Sequence, residues 1–398
     1  MEARPDKRAG KCDRRTAIKF ALAAVGSLVN TSFAPIPDEQ PALVRPKRLG
    51  VTVSDLQCQY LGLSPDKTLK ELLTLGLDSI RLCVYWSRSE PTRGSFDFSA
   101  VRQSLEIIEK ENIRRLQAGS SSITTIVAVG SIFSPSYPEY HLPGFLLQRP
   151  GGPPLGKPFD SDSETREQAL EFLARSVNAV KDYPCVTTLQ VGNESRNALP
   201  TAGGKYVSFE FLQTEVSLVR RLKRRDQKIL IADAINIIPI PGDDQEIARQ
   251  SMQIADAIST NVYGKAPIPK TRLYLQPLEE FWDRLKNRKQ LARQMGTELI
   301  ITEVQAEPWE NQANRELTTP TAPSASPKKT QALVARLTQM GFDTQYLWGG
   351  TWWMRWKERG NLEWWEGVRE LIQAPILTAS EYQGLRPSPL IVNRFVQY

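Results

Sequence analysis

Two glutamates stand where apolar runs end. The stretch VTTLQVGNES closes on Asn193 and Glu194, and LIITEVQAEPW sets Glu303 after a similar run. A carboxylate directly after aliphatic residues is costly to bury unless it is paired or faces a cleft. Two such carboxylates are the equipment for splitting a glycosidic bond: one protonates the leaving oxygen and the other attacks or activates water, about 5–5.5 Å apart where configuration is retained. A lone strand-end Glu is ordinarily a rim salt bridge. The joint placement, with Asn before the first Glu, is what points to chemistry.

The elements that must position this pair follow from periodicity. Short apolar runs at 49–53, 79–84, 124–129, 186–191, 228–232, 257–262, 298–302 and 344–348 alternate with helical patterns at 67–75, 101–110, 164–181, 209–225, 245–254, 278–295, 329–340 and 364–372. Near-continuous apolar strands belong to a parallel sheet covered on both faces. In 209–225, Leu212, Val216, Val219 and Leu222 recur at three and four residues, as one helical face requires. Eight strand–helix units predict an α/β fold, a single (β/α)8 TIM barrel over 48–375. A doubly wound open sheet is the alternative, but it signals itself with a Gly-rich phosphate turn after the first strand, and none is present. In a barrel, strands 4 and 7 bring Glu194 and Glu303 face to face across the mouth. Two long connections, 131–163 after strand 3 and 305–327 after strand 7, fall on that same rim. The first, rich in Pro and Gly, is expected to wall a cleft. The second, ending TTPTAPSASP, is expected to be partly mobile.

Over roughly residues 46–375 the chain resembles the large clan of retaining (β/α)8 glycoside hydrolases that includes β-galactosidases, cellulases, mannanases and xylanases. VGNES resembles the clan's Asn-Glu at the end of strand 4, and ITEVQ its strand-7 nucleophile. SIRLCVYWSRSEPTRGSFDFSAV is similar to its second-strand segment and ISTNVYG to its sixth. The resemblance implies Glu194 as general acid/base, Glu303 as nucleophile, Arg81 supporting the nucleophile and Tyr263 hydrogen-bonding it. Elementary chemistry agrees. A nucleophilic carboxylate must stay ionised, which a cation and a donor beside it favour. The acid must hold a proton, which apolar walls and a nearby negative charge promote. Asn193 is suited to donate to a sugar 2-hydroxyl.

The chain departs from the clan at Ser195, where many members have Pro. Its one His, His141, lies in the long loop and is the only candidate for the clan's histidine near the site. Of nine Trp, many fall in YLWGGTWWMRWKERGNLEWWEG. Trp348 matches the clan's aromatic floor. Trp86 and Trp309 are further candidate sugar platforms, with Trp352 and Trp353 also weighed, whereas Trp364 and Trp365 read as packing residues on the last helix.

Composition narrows the rest. With 398 residues, 40% apolar and 24% charged, the chain is not disordered, collagen-like or multi-span. One His rules out a His-rich metal site, and no metal, nucleotide or nucleic-acid signature stands out, so no cofactor is expected. Residues 1–34 read as an export signal. A basic stretch ends in Asp13-Arg14-Arg15, an apolar run spans 17–29, and DRRTAIKF resembles a twin-arginine signal, with Ser32-Phe33-Ala34 offering small residues for cleavage. Of the formal +7, seven Lys/Arg against three acids lie in this leader, so most of the excess is there. A linker at 35–47 and a C-terminal extension at 376–398 packing on the barrel complete the expected organisation. The expected location is periplasmic or extracellular, or membrane-anchored if the leader stays uncleaved. The expected partners are an oligo- or polysaccharide and the twin-arginine export machinery, with no stable membrane span. Without Cys12 an odd three cysteines remain, of which Cys83 and Cys185 should be small buried hydrophobes. A catalytically silent carbohydrate- or protein-binding barrel, or a transglycosylase on the same fold, are the rival readings.

Overall fold

The computed structural model describes residues 43–136, 139–148, 157–196, 202, 204–237, 244–268, 273–310 and 322–376. Eight strands close into a barrel: β1 (Arg48–Val53), β2 (Ser79–Cys83), β3 (Thr124–Ala128), β4 (Val186–Asn193), β5 (Lys228–Ala232), β6 (Ala257–Val262), β7 (Glu298–Gln305) and β8 (Thr344–Trp348). Each is hydrogen-bonded in parallel to its sequence neighbours, and β8 pairs back to β1 with Arg48 opposite Thr344. The connecting helices are α1 (Pro65–Leu73), α2 (Ser99–Gln117), α3 (Ser163–Val180), α4 (Phe209–Leu222), α5 (Asp244–Ile254), α6 (Glu279–Gln294) and α7 (Pro327–Gln339). After β8 come α8 (Gly350–Glu358) and α9 (Glu363–Gln373). This is the (β/α)8 TIM barrel that the sequence predicts.

Strand alternation sorts the core into two layers. Leu49, Val51, Ile80, Val127 and Leu189 meet the helices in the main core, while Ile126, Leu230, Ala257, Ile300 and Tyr346 fill the barrel interior. Burying each such Val, Leu or Ile side chain contributes about 1.5–3 kcal/mol. Helices start where a side chain can take the first free N–H groups. Ser64 precedes Pro65 and accepts from Lys67 N, Asp162 accepts from Thr165 N, and Ser326 precedes Pro327 and accepts from Lys329 N. These caps explain why α1 and α7 begin two residues before their apolar patterns do. α8 was not foreseen, since its run of tryptophans reads as surface platforms rather than as a helix.

The largest departures from the predicted strands matter most for the site. β4 continues two residues beyond its apolar run to Asn193, and β7 three beyond Thr302 to Gln305. Register shifts fall at Gln190/Asn193 between β4 and β5, at Thr260/Asn261 between β6 and β7, and at Gln345/Leu347 between β7 and β8. Such irregularities re-aim side chains at a rim.

Of the loop after β3, the described part holds a Phe133–Tyr140 bridge and a helical turn at Gly144–Leu147. The expected mobile stretch after β7 falls mainly on 311–321, outside the described residues, as do the export signal and the C-terminal extension beyond 376. Among the described residues no helix is long and apolar enough to cross a membrane. Cys58, Cys83 and Cys185 are free and buried.

Candidate active site

Arg81 is the hub of the barrel mouth. Its side chain is fully buried on β2, where an unpartnered guanidinium would be prohibitively costly. Nε donates to Gln190 Oε1 at 2.8 Å, and Nη2 to Asn193 Oδ1 at 2.9 Å. Nη1 donates to Glu303 Oε1 at 2.9 Å and to the Thr302 carbonyl at 3.2 Å. The planar fork of Arg suits such divided bonding, which a lysine could not reproduce. Gln190 reinforces the hub, its Nε2 donating to Asn193 Oδ1 at 3.2 Å and to the Gly192 carbonyl at 2.9 Å. One side chain thus ties β2 to the ends of β4 and β7.

The two carboxylates meet contrasting surroundings. Glu303 receives Arg81 on one oxygen and the Tyr263 hydroxyl on the other, at 2.7 Å. Burial, then the charge of Glu303, pushes the Tyr263 phenol well above its ordinary value, so Tyr263 keeps the proton that it donates. Glu194 instead accepts from the neutral amide of Asn261 at 2.8 Å, and Asn261 is itself oriented by Thr302 Oγ1 at 3.0 Å. Part of Glu194 still reaches solvent, yet its carboxyl is densely surrounded. Burial first, and then the Glu303 charge, pushes it up to about 7. The mouth thus sets a carboxyl whose proton is held to about 7 beside one whose two oxygens are both engaged by donors.

The backbone at Glu194 is unusual. Among the described residues it is the one non-glycine with positive φ, at 50°, and Gly192 lies at 73°. A Cβ on Gly192 would stand 2.8 Å from Ser195 Oγ, and the Glu194 N–H donates to the Ala232 carbonyl at 2.8 Å. The chain therefore reverses sharply after β4, in a conformation that costs roughly 1–3 kcal/mol for a non-glycine and clusters at functional sites.

Of the aromatic candidates, Trp348 and Trp309 reach the site and Trp86 does not. Trp348 ends β8, and its Nε1 donates to Glu307 Oε1 at 2.8 Å. The Trp309 ring packs 4.6 Å from that of Tyr263. Trp86 is corrected: it is fully buried, stacked on Phe172 at 5.3 Å, and donates to Glu90 at 2.7 Å, so no sugar face can lie on it. Trp353 is also fully buried, donating to the Ala306 carbonyl, and Trp352 packs edge-on against Trp356. Trp364 and Trp365 are buried in α9 as expected. His141 is buried against the edge of Tyr85, with Nε2 at 3.3 Å from the Ser134 carbonyl. Burial pushes its pKa down to about 4, so it is neutral, and no described contact joins it to either carboxylate.

Gln190, Asn261 and Glu307 belong to the site but escape a sequence reading. The first two are polar side chains within strand runs, a parity signal that apolar averaging hides. Glu307 lies in the QAEPW segment, and burial pushes its carboxyl up to about 7. A separate groove of about 1350 Å³, lined by α1, α2 and α3 residues such as Lys70, Arg102 and Arg175, includes none of these groups.

Fold and site together define a TIM barrel with a carboxylate pair at its mouth. No family model and no curated protein matches the chain. In structure it is similar to a glycoside hydrolase family 5 mannosidase from Rhizomucor miehei, with a TM-score of 0.50 and 13% identity over 78% of this chain and 82% of that one. It is also similar to an exo-β-1,4-mannosidase from Opitutaceae bacterium strain TAV5, with a TM-score of 0.50 and 15% identity over 90% of this chain and 64% of that one. At these identities the likeness is one of fold.

Proposed function

We propose that the chain is an exported, retaining β-glycoside hydrolase acting by double displacement. Glu303 attacks the anomeric carbon while Glu194 delivers its proton to the departing oxygen, leaving a glycosyl ester on Glu303. Glu194, now ionised, takes a proton from water as that water attacks the anomeric carbon, and the C–O bond to Glu303 breaks, which frees the sugar and restores both groups. Asn193 has its Oδ1 fixed by Arg81 and Gln190, which orients its amide for a sugar 2-hydroxyl. Half-buried Trp309, and the small part of Trp348 left exposed (7%), would meet the ring C–H groups. The observation that carries the reading is the contrast between Glu303, bound by Arg81 and Tyr263, and Glu194, with its proton held to about 7.

A panel of aryl glycosides and β-linked polysaccharides tests it, headed by β-mannosides, the class named for the two structural neighbours. Glu303→Gln should lower kcat by about 10⁴-fold or more. Glu194→Ala should cost about 10²–10⁴-fold, least for aryl groups that leave without a proton. Unchanged turnover in Glu303→Gln would eliminate the mechanism, and an inverted anomeric product would replace retention with inversion.

A further inference from the structure

Glu307 is a buried acid at the mouth that the double displacement does not use. It lies two residues beyond the end of β7, on a backbone fixed from two sides. Ala306 N donates to the Trp348 carbonyl at 2.9 Å, and the Ala306 carbonyl accepts from Trp353 Nε1 at 2.7 Å. Gly349 makes this approach feasible: its φ is 152°, and a Cβ there would fall 2.1 Å from the Ala306 carbonyl oxygen. The Glu307 carboxylate then gathers neutral donors from separate elements. Oε1 accepts from Trp348 Nε1 at 2.8 Å and from Gln57 Nε2 at 3.0 Å, and Oε2 accepts from Gln57 Nε2 at 2.8 Å. Gln57 is held in turn by the Thr351 hydroxyl. Only a carboxylate offers enough acceptor sites for donors converging from both sides; an amide has a single oxygen.

We infer that Glu307 is a positioning residue that accepts from Trp348, fixing the tilt of that indole beside Glu303 and hence the pyranoside faces that the mouth admits. The inference rests on the glycosidase reading above. Its oxygens are already engaged, so it acts through the ring rather than on the reacting atoms. The same stretch of chain that carries Glu303 thereby also sets the aromatic surface against which the sugar must align.

The test uses the full chain with ¹⁵N-labelled tryptophan, the Trp348 indole signal being assigned with Trp348→Phe. In the wild type the Trp348 indole proton should exchange slowly with solvent. Glu307→Ala should speed that exchange and raise KM for the best glycoside by about ten-fold or more each, with kcat changing less. Because deleting a buried acid also lowers stability, Gln57→Ala provides a second variant that loosens the same carboxylate from a more exposed position. A merely structural role would lower Tm in the single variants while leaving KM and indole exchange unchanged, and that result overturns the inference. If the indole responds but the wild type turns over no glycoside, the glycosidase reading falls while the ring-fixing role survives.

Discussion

At the end of β7 the strand runs on through Glu303 to Gln305, and both Glu303 oxygens take donors, Arg81 and Tyr263. At the end of β4 the chain instead turns over at Gly192 and Glu194, both at positive φ, and Glu194 meets the neutral amide of Asn261. The same side chain is therefore pinned by a cation in one place and suspended in a crowded, weakly polar setting in the other. Distinct surroundings for two identical side chains need no exotic chemistry. They need one strand end that is regular and charged around its carboxylate, and one that is bent and neutral.

The contrast breaks most severely at Arg81. Arg81→Met leaves Glu303 buried without its cation and should lower stability by about 3–5 kcal/mol, read from denaturant midpoints at pH 7. Arg81 also lowers the Glu194 pKa, so in any folded Arg81→Met protein the Glu194 titration should move further up. Next comes Glu194 itself. Its carboxyl is raised from an ordinary 4.5 to about 7, so between those values the native state binds more protons than the unfolded chain. Stability should therefore fall as pH rises from 4.5 to 7 and level off above. Glu194→Gln removes that penalty and should stabilise the protein at pH 8 by up to about 3 kcal/mol, with little gain at pH 4. Thermal melts at the two pH values check this, and a gain of equal size at both would refute it. In the wild type, turnover should decline above pH 7 as Glu194 loses its proton. The smallest effect belongs to Gly192→Ala, which places a methyl at φ 73° beside Ser195 Oγ and should cost about 1–2 kcal/mol. The change should reduce kcat through Glu194 while leaving Glu303 and KM little altered, separating the two strand ends kinetically.

The barrel was legible because eight apolar runs alternate with amphipathic helices, and β5, β6 and β8 match those runs at both ends. The strand ends that carry the carboxylate pair were less so. Asn193 and Gln305 stay in the strand through side-chain hydrogen bonds and ladder pairing rather than through hydrophobicity. Glu194, Glu303, Arg81 and Tyr263 could be picked out as polar groups beside apolar strands. Gln190, Asn261 and Glu307 could not, since their importance lies in which distant donor or acceptor they meet. Trp86 misled because ring chemistry alone does not distinguish a platform from a core plug; the stack on Phe172 and the bond to Glu90 do.

The hub at Arg81 also bears on how the chain folds. Its partners lie 29 residues away at Thr52, 109 and 112 at Gln190 and Asn193, and 222 at Glu303. Strands β1 to β4 alone supply only part of this set, and without β7 the guanidinium lacks its carboxylate. The full set exists only when strands from β1 to β7 stand together, so dehydration of this arginine is a long-range event. The guanidinium that ties the strand ends together is in this sense also the latch that distinguishes a finished barrel from an incomplete one.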